Sequence, residues 1–373
     1  MKDVDPVLLS PPKRLASLDA LRGFDMLMIS GGGTFIYLLH DKTPFKWVDG
    51  LASQFVHPKW NGFTFYDFIF PLFLFLAGTS LSYSLASGLS KGISKSELYK
   101  KVGKRMLILI VLGWLYKNNP LPFFDPDQIR FGSVLGRIGF ATFISALIYL
   151  NFPNKRLYWI AGILLAYYAA LFLIPLPGFG AGDLSFEGNF VGWFDRSFMP
   201  GRLLQGTYDE LALLTQFPAL CLTLFGTLAG DILRKSISEN KKLGKLVLWG
   251  VLSITIGLLW SMHFPINKHL WSSSFILLTA GMAFLSLALF YWIIDIQGYT
   301  KWAFFFQVIG LNSLVIYLGY AFIDFNYTSR RLFKGLYMYT PEKWHEVFVA
   351  IGALLLVWLF LYFLYRKKVF LKV

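Results

Sequence analysis

The sequence predicts an all-α polytopic membrane protein, about ten transmembrane helices in one bundle with both termini cytoplasmic, and three observations carry that expectation. The first is composition: of 373 residues 56% are hydrophobic, 18% aromatic and only 15% charged, with a mean hydropathy of +0.55. A soluble domain of that length has too few polar groups to cover so much apolar surface. The second is patterning. Ten apolar stretches, near 18–39, 63–88, 100–117, 131–150, 156–176, 210–233, 243–261, 270–294, 302–324 and 346–365, match the length a helix needs to cross a bilayer. Runs such as Phe68 to Leu76 lack the short alternating segments of a barrel. The third is charge. Lys and Arg outside the spans number 21 on the side of both tails and 12 on the other, and the richer side is cytoplasmic by the positive-inside rule. The net charge of +14 is spread among loops rather than gathered on one soluble module, so it reads as an orientation signal and not as a nucleic-acid surface.

Residues 1–17 are polar and mixed, without a signal-like apolar core, and read as a cytoplasmic tail ahead of a retained first helix. In the first span Asp19, Arg22 and Asp25 follow at i,i+3 spacing, which keeps them on one broad face and permits mutual pairing. Ser17 suits the helix start, and Asp19 suits its positive dipole end, so a purely structural role explains them equally well. Next comes an outward loop, His57-Pro58-Lys59-Trp60-Asn61-Gly62, a tight Pro and Asn-Gly turn beside the bundle. Thr64-x-x-Asp67 is a capping-box start for the second span, where Pro71 and Gly78 interrupt an aromatic helix in the manner of one lining a site. The third span begins among Lys101, Lys104 and Arg105, and the fourth carries Arg137. After the fifth, residues 177–209 form a long aromatic, Gly-rich loop, as do 325–344 later. Gly226-x-x-x-Gly230 in the sixth span is a close-packing pattern, and Cys221, the lone cysteine, leaves no internal disulfide or cysteine cluster. The turn before the eighth span groups Asn267, Lys268, Trp271 and Ser273, polar and aromatic side chains suited to a sugar, although Trp271 alone fits an interfacial aromatic belt. In the ninth span Asn312 beside Gly310 fits a hydrogen bond between helices. The five histidines all fall on the outer side without short ligand spacing, so no metal is expected. There is no internal repeat, and one transmembrane domain over 18–366 is expected between tails of 1–17 and 367–373.

Several of these blocks carry a resemblance. Asp19-Ala-Leu-Arg22-Gly23, the run Gly31-Gly32-Gly33, His57-Pro-Lys-Trp60-Asn61-Gly62-Phe-Thr64-Phe-Tyr-Asp67 continuing to Pro71 and Gly78, and Pro265-Ile-Asn267-Lys268-His-Leu-Trp271-Ser-Ser273 resemble signature blocks of the heparan-α-glucosaminide N-acetyltransferase family and its bacterial homologues. Tyr208-Asp209-Glu210 and Gly310-x-Asn312-Ser313 resemble two more. The resemblance implies a multi-pass enzyme that takes acetyl groups from cytosolic acetyl-CoA and delivers them to a sugar amine across the membrane, with the loop histidine, here His57, as the catalytic residue. Two departures stand out. Ile29-Ser30 precedes the glycines where the lysosomal members have an Asn, and Leu135-Gly136-Arg137-Ile138 stands where the family favours Leu-Gln-Arg-Ile.

The chemistry of such a transfer sets further expectations. Acyl-CoA phosphates cannot cross hydrocarbon, so a cytoplasmic mouth needs cations, and Lys101, Lys104, Arg105, Arg22 and Arg234 lie at inner helix ends. Asp19, Arg22, Arg105, Arg137 and Asn312 are the expected donor contacts. At the outer end His57 serves as base or acyl acceptor, Asp67 orients it, and Trp60 or Asn61 donates to the developing oxyanion. Acetyl-CoA, an amino sugar or other glycan, and lipid are the expected partners, with a homodimer as a candidate assembly. The setting that fits is a bacterial inner membrane with the histidine loop in the periplasm. The competing reading is a transporter or permease for a small polar or sugar substrate, which would also place Asp and Arg at lipid depth but would show paired interruptions in two related halves.

Overall fold

The computed structural model describes residues 15–122 and 124–371; residues 1–14 of the expected N-terminal tail and 372–373 of the C-terminal one lie outside them. In chain order the helices are α1 (Ala16–Leu27), α2 (Gly33–Tyr37), α3 (Lys46–Ser53), α4 (Phe65–Ser90), α5 (Lys95–Lys117), α6 (Val134–Asn151), α7 (Arg156–Leu173) and α8 (Phe190–Phe198). They continue as α9 (Gln216–Arg234), α10 (Glu239–Ser261), α11 (Ser273–Tyr291), α12 (Ala303–Leu311), α13 (Ser313–Phe322), α14 (Phe325–Leu332), α15 (Lys334–Tyr337) and α16 (His345–Arg366). Among the described residues the β contacts are two isolated bridges, Arg130 with Gly201 and Leu176 with Gly180.

Capping decides where several helices begin. Asp67 Oδ2 accepts the Thr64 N–H at 2.9 Å at the head of α4, Glu97 closes the same box with Ser94 on α5, and Ser133 and Ser272 accept N–H groups at the heads of α6 and α11. These bonds satisfy donors that would otherwise be stranded where the chain enters an apolar phase. At α1 the expectation fails. Leu15 precedes the helix without a side-chain cap, and Ser17 instead gives its backbone N–H to Asp295 Oδ2 at 3.2 Å, tying the head of α1 to the foot of the α11 arm.

Among the described residues seven helices are long and apolar enough to cross a membrane: α4, α6, α7, α9, α10, α11 with its extension to Ile296, and α16 with the turn before it. α12 and α13 make an eighth if counted as one span bent by 67° at Asn312. The two other expected spans are helical but not simple. The first is kinked at Ser30–Gly31, where the backbone leaves helical geometry and Gly31 has φ of +112°, a conformation that side chains with a Cβ rarely adopt. The third, α5, holds Lys95, Lys100, Lys101, Lys104 and Arg105 in its first half. The outer faces of α10 and α16 expose Leu248, Val251, Ile256, Leu259, Ile351 and Leu355 in continuous rows, which suits hydrocarbon and not water.

α4 is the central post, packed against α1, α6, α9 and α11. Its contact with α9 is made backbone to backbone: a Cβ on Gly78 would lie 1.9 Å from Thr223 O, and one on Gly226 2.0 Å from Phe75 O. Gly23 and Gly310 bring α1 and α12 together in the same way. Small residues matter here because in lipid helices associate through close packing rather than through exclusion of water. Leu72, Phe75, Leu224 and Phe284 fill the space around these contacts. The bundle therefore has two polar ends, one gathering the His57 turn, Asn118, Arg130, α8 and the Asn267 turn, the other gathering Asp19, Arg22, Arg105, Asp231 and Asp295.

Candidate active site

His57 is held from below and from the side. Its Nδ1 lies 2.6 Å from Asp67 Oδ1, while the second oxygen of Asp67 is fixed by the α4 cap. The carboxylate is 0% exposed and the imidazole 40%, so a buried acceptor orients a ring that still meets solvent. Tyr66 stacks on that ring at 5.0 Å and 17°. With Nδ1–H donating to Asp67, Nε2 is left as the acceptor, and Lys268 Nζ reaches it at 3.0 Å while lying 3.7 Å from Asp67 Oδ1. The three groups come from two turns 211 residues apart.

Those turns are riveted together. Gly62, at φ of +127°, gives its N–H to Ile266 O at 2.9 Å, and Asn267 Nδ2 donates to Asn61 Oδ1 at 3.0 Å. Asn267 Oδ1 accepts from Leu270 N at 2.8 Å, so this amide is consumed in shaping the loop. Ser273 likewise donates to Leu164 O at 2.9 Å, inside the packed core. Trp60 gives its indole N–H to Leu184 O at 2.9 Å and stacks on His269 at 5.3 Å and 11°. Its N–H is spent on the long loop and is not presented to an oxyanion. His269 accepts from Tyr208 OH at 2.7 Å on Nδ1, and its Nε2 lies 3.4 Å from Pro58 O, so the aromatic wall Trp60, His269 and Tyr208 buttresses the His57 turn. Glu210 Oε2 stands 3.8 Å from His269. Nothing in the sequence joins Tyr208 to His269; what brings them together is a contact across 61 residues, which spacing cannot show.

Toward the other end a cavity of about 600 Å³ runs between α1, α4, α5, α6 and the α12–α13 break. Asp19, Arg22, Ser80, Lys101 and Arg105 supply its polar lining, and Leu85, Val102, Leu109, Ile138 and Phe70 its apolar one. Arg22 donates to Ser80 Oγ at 2.5 Å and lies 3.7 Å from Asp19. Asp25 does not join them: it is fully buried and neither oxygen has a hydrogen-bond partner among the described residues. Arg234, expected at the same mouth, lies instead 3.4 Å from Asp231, whose other oxygen takes Arg156 at 2.5 Å. Asn312 sits at the break beside cavity-lining Gly310 and Ser313, but its amide donates to Val369 O at 3.1 Å and accepts from Leu371 N at 3.3 Å. Arg137 is buried one turn into α6, with Nη2 donating to Thr215 Oγ1 at 2.5 Å and the guanidinium 4.4 Å over the Trp271 ring.

The expected donor set thus divides. Arg22, Asp19 and Arg105 share the cavity; Arg137 is not among its lining residues and is held by Thr215 and Trp271, although Leu135 and Ile138 of the same helix do line it; Asn312 serves the C-terminal segment. On the His57 side the chain also brings His40, Asp41 and Asp49 within metal-ligand reach of one another, all at least partly exposed, a grouping that spacing alone did not suggest.

A family model described as heparan-alpha-glucosaminide N-acetyltransferase, catalytic, matches residues 14–265. Among curated proteins, heparan-alpha-glucosaminide N-acetyltransferase of Homo sapiens is 27% identical over 100% of this chain and 62% of its own length. The protein of the same name from Mus musculus is 27% identical over 98% of this chain and 61% of its own length. The chain therefore spans about three fifths of the relatives it matches.

Proposed function

The chain belongs to the heparan-alpha-glucosaminide N-acetyltransferase family, and from that premise we propose that it is a transmembrane acetyltransferase that carries an acetyl group from cytosolic acetyl-CoA to the amine of a sugar at the opposite membrane face. One observation carries the reading: a carboxylate-oriented imidazole at one end of the bundle, with a cavity that ends in cations toward the other. Arg22, Lys101 and Arg105 suit the donor's phosphates, and the apolar stretch beyond them suits its pantetheine arm. The acceptor meets His57 from solvent, beside Trp60 and Asn61. Once Lys268 swings off Nε2, that nitrogen takes the amine proton as the C–N bond forms. Asp67 stabilises the imidazolium, the C–S bond breaks, and the sulfur leaves as thiolate and recovers the proton. Lys268 supplies a positive charge within reach of both His57 and Asp67. The setting we propose is an inner membrane, with the His57 end in the periplasm.

Transport is a second reading, favoured by the breaks at Ser30–Gly31 and Asn312, since interrupted helices line substrate paths in carriers. One assay separates the two. Protein in sealed vesicles receives labelled acetyl-CoA on the tail side and glucosamine on the loop side. Acetylated sugar on the loop side supports the transferase, and glucosamine uptake without acetylation supports the carrier. His57→Ala is expected to lower turnover by at least about 10²-fold while leaving CoA binding near wild type. Turnover close to wild type in that variant removes His57 from the chemistry.

A further inference from the structure

Trp271 and Arg137 are built in a way that core packing does not require. Trp271 is 1% exposed yet has φ of +50°, a left-handed conformation that is rare and strained for a bulky side chain. Its indole Nε1 is buried without a hydrogen-bond partner, and so is Nη1 of Arg137, whose guanidinium lies 4.4 Å over the same ring. Arg137 is 0% exposed and has no carboxylate within ion-pair distance among the described residues; Asp209, in the same outer cap, is taken by Arg130 at 2.6 and 2.8 Å. Burying a cation and two N–H groups in this state is costly, so the arrangement is held for something other than stability.

Its position says what for. Phe70 packs edge-on against Trp271 at 5.5 Å and also lines the cavity, as do Leu135 and Ile138 on either side of Arg137. On the outer side Trp271 N donates to Lys268 O at 3.2 Å, in the turn that brings Lys268 to His57. The pair thus occupies the layer between the cavity and the imidazole. On the acyl-transfer reading given above, we propose that Arg137 Nη1 and Trp271 Nε1 together receive the acyl carbonyl oxygen of the donor, with the Phe70 ring moving aside to admit it. Attack by the amine forms the C–N bond and drives the carbonyl pair onto oxygen, where two donors from a dry site receive it. Collapse restores C=O and expels sulfur as thiolate, which takes the proton held by His57. A buried guanidinium with no carboxylate in ion-pair contact among the described residues is matched to charge that appears only at that moment.

Trp271→Phe keeps an aromatic ring near Arg137 but removes the N–H together with the pyrrole part of the indole; Arg137→Lys keeps the charge and removes the fork. In the vesicle assay each is expected to lower kcat by about 10²-fold, with the KM for acetyl-CoA within about twofold of wild type. A Trp271→Phe protein with wild-type kcat, or a loss carried by KM alone, overturns the pair. Should either variant misfold, binding to the wild type and the folded variant decides: the ketone analogue acetonyl-CoA should compete better than CoA in the wild type and no better than CoA in the variant. Equal competition in the wild type also overturns the proposal. A wild type that moves no acetyl group sinks the acyl-transfer reading itself, whereas turnover undiminished in Trp271→Phe sinks only the donor pair.

Discussion

Asp195 sits on α8 with no exposed surface, and its Oδ2 accepts the Asp209 N–H at 3.4 Å. Burial pushes its carboxyl up to about 7, the negative charge of Asp209 adds to the rise, and N–H groups of Asp209, Leu213 and Leu214 oppose it. An unfolded aspartate titrates near pH 4, so the folded protein holds the extra proton between roughly pH 4 and 7. The contribution is present in full below that window and is lost as pH rises through the upper limit. Because this contact ties α8 to the segment carrying Tyr208, the outer cap should loosen toward alkaline pH. Purified wild type is expected to unfold at a higher temperature at about pH 5 than at about pH 8, and Asp195→Asn, which cannot ionise, to flatten the difference. A variant with an unaltered difference between the two pH values would clear Asp195 of the effect. None of this was legible beforehand, because Asp195 falls in what reads as a long loop and its burial depends on partners far along the chain. His57, Asp67, Trp60, Asn61, Asn267 and Lys268 were legible as polar residues massed at helix ends, and they do meet. What spacing hid was how their hydrogen bonds are spent: the Trp60 N–H and the Asn267 amide go to the loops, while Trp271, which reads with its neighbours as sugar-binding and alone as a belt residue, is buried in the core with its indole N–H unpartnered among the described residues.

Helices were readable where hydropathy persists for a full span: each of the ten expected stretches contains a helix, although 210–215 and 270–272 lie in turns ahead of theirs, and among the described residues seven helices, or eight with the bent pair, are long and apolar enough to cross. Shorter elements were not. α3 and α8 lie in stretches where eight or nine residues give too few turns for a periodic signal to rise above aromatic-rich composition. The bends at Gly31 and Asn312 were equally hidden, since hydropathy runs straight through them. Close packing was legible, because Gly226-x-x-x-Gly230 has little use other than letting another backbone approach. That contact makes a sharp prediction. A methyl at Gly226 gains roughly 1 kcal/mol of helix propensity but meets Phe75 O at 2.0 Å, a backbone atom that cannot swing away, and overpacking of this kind costs about 1–3 kcal/mol. Gly226→Ala is therefore expected to lower the Tm in detergent. Gly244→Ala on α10, with nothing within 4 Å of the added carbon, should leave it unchanged or raise it. A Gly226→Ala protein as stable as the Gly244→Ala control would mean that α4 and α9 are not in backbone contact.

For the molecule as a whole the quantity that decides the proposed transfer is which end faces the cytosol, because an acyl-CoA donor's phosphates and a sugar acceptor would both fail to cross hydrocarbon. The cavity holding Arg22, Lys101 and Arg105 lies toward the end that carries the excess of Lys and Arg, so the positive-inside rule and the need to bind phosphate favour the same orientation. His57 and Lys59 then stand on the opposite face. Cys221 is buried, so the native chain offers no accessible thiol and single cysteines report cleanly. Lys59→Cys, exposed in the His57 turn, should react with a membrane-impermeant maleimide added to intact cells. Lys241→Cys, exposed near the start of α10, should react only after the membrane is opened. The reverse pattern would put the imidazole on the donor's side and the cationic mouth on the acceptor's. A transfer across the membrane would then have no route, since the cavity's cations would face a compartment without acyl-CoA.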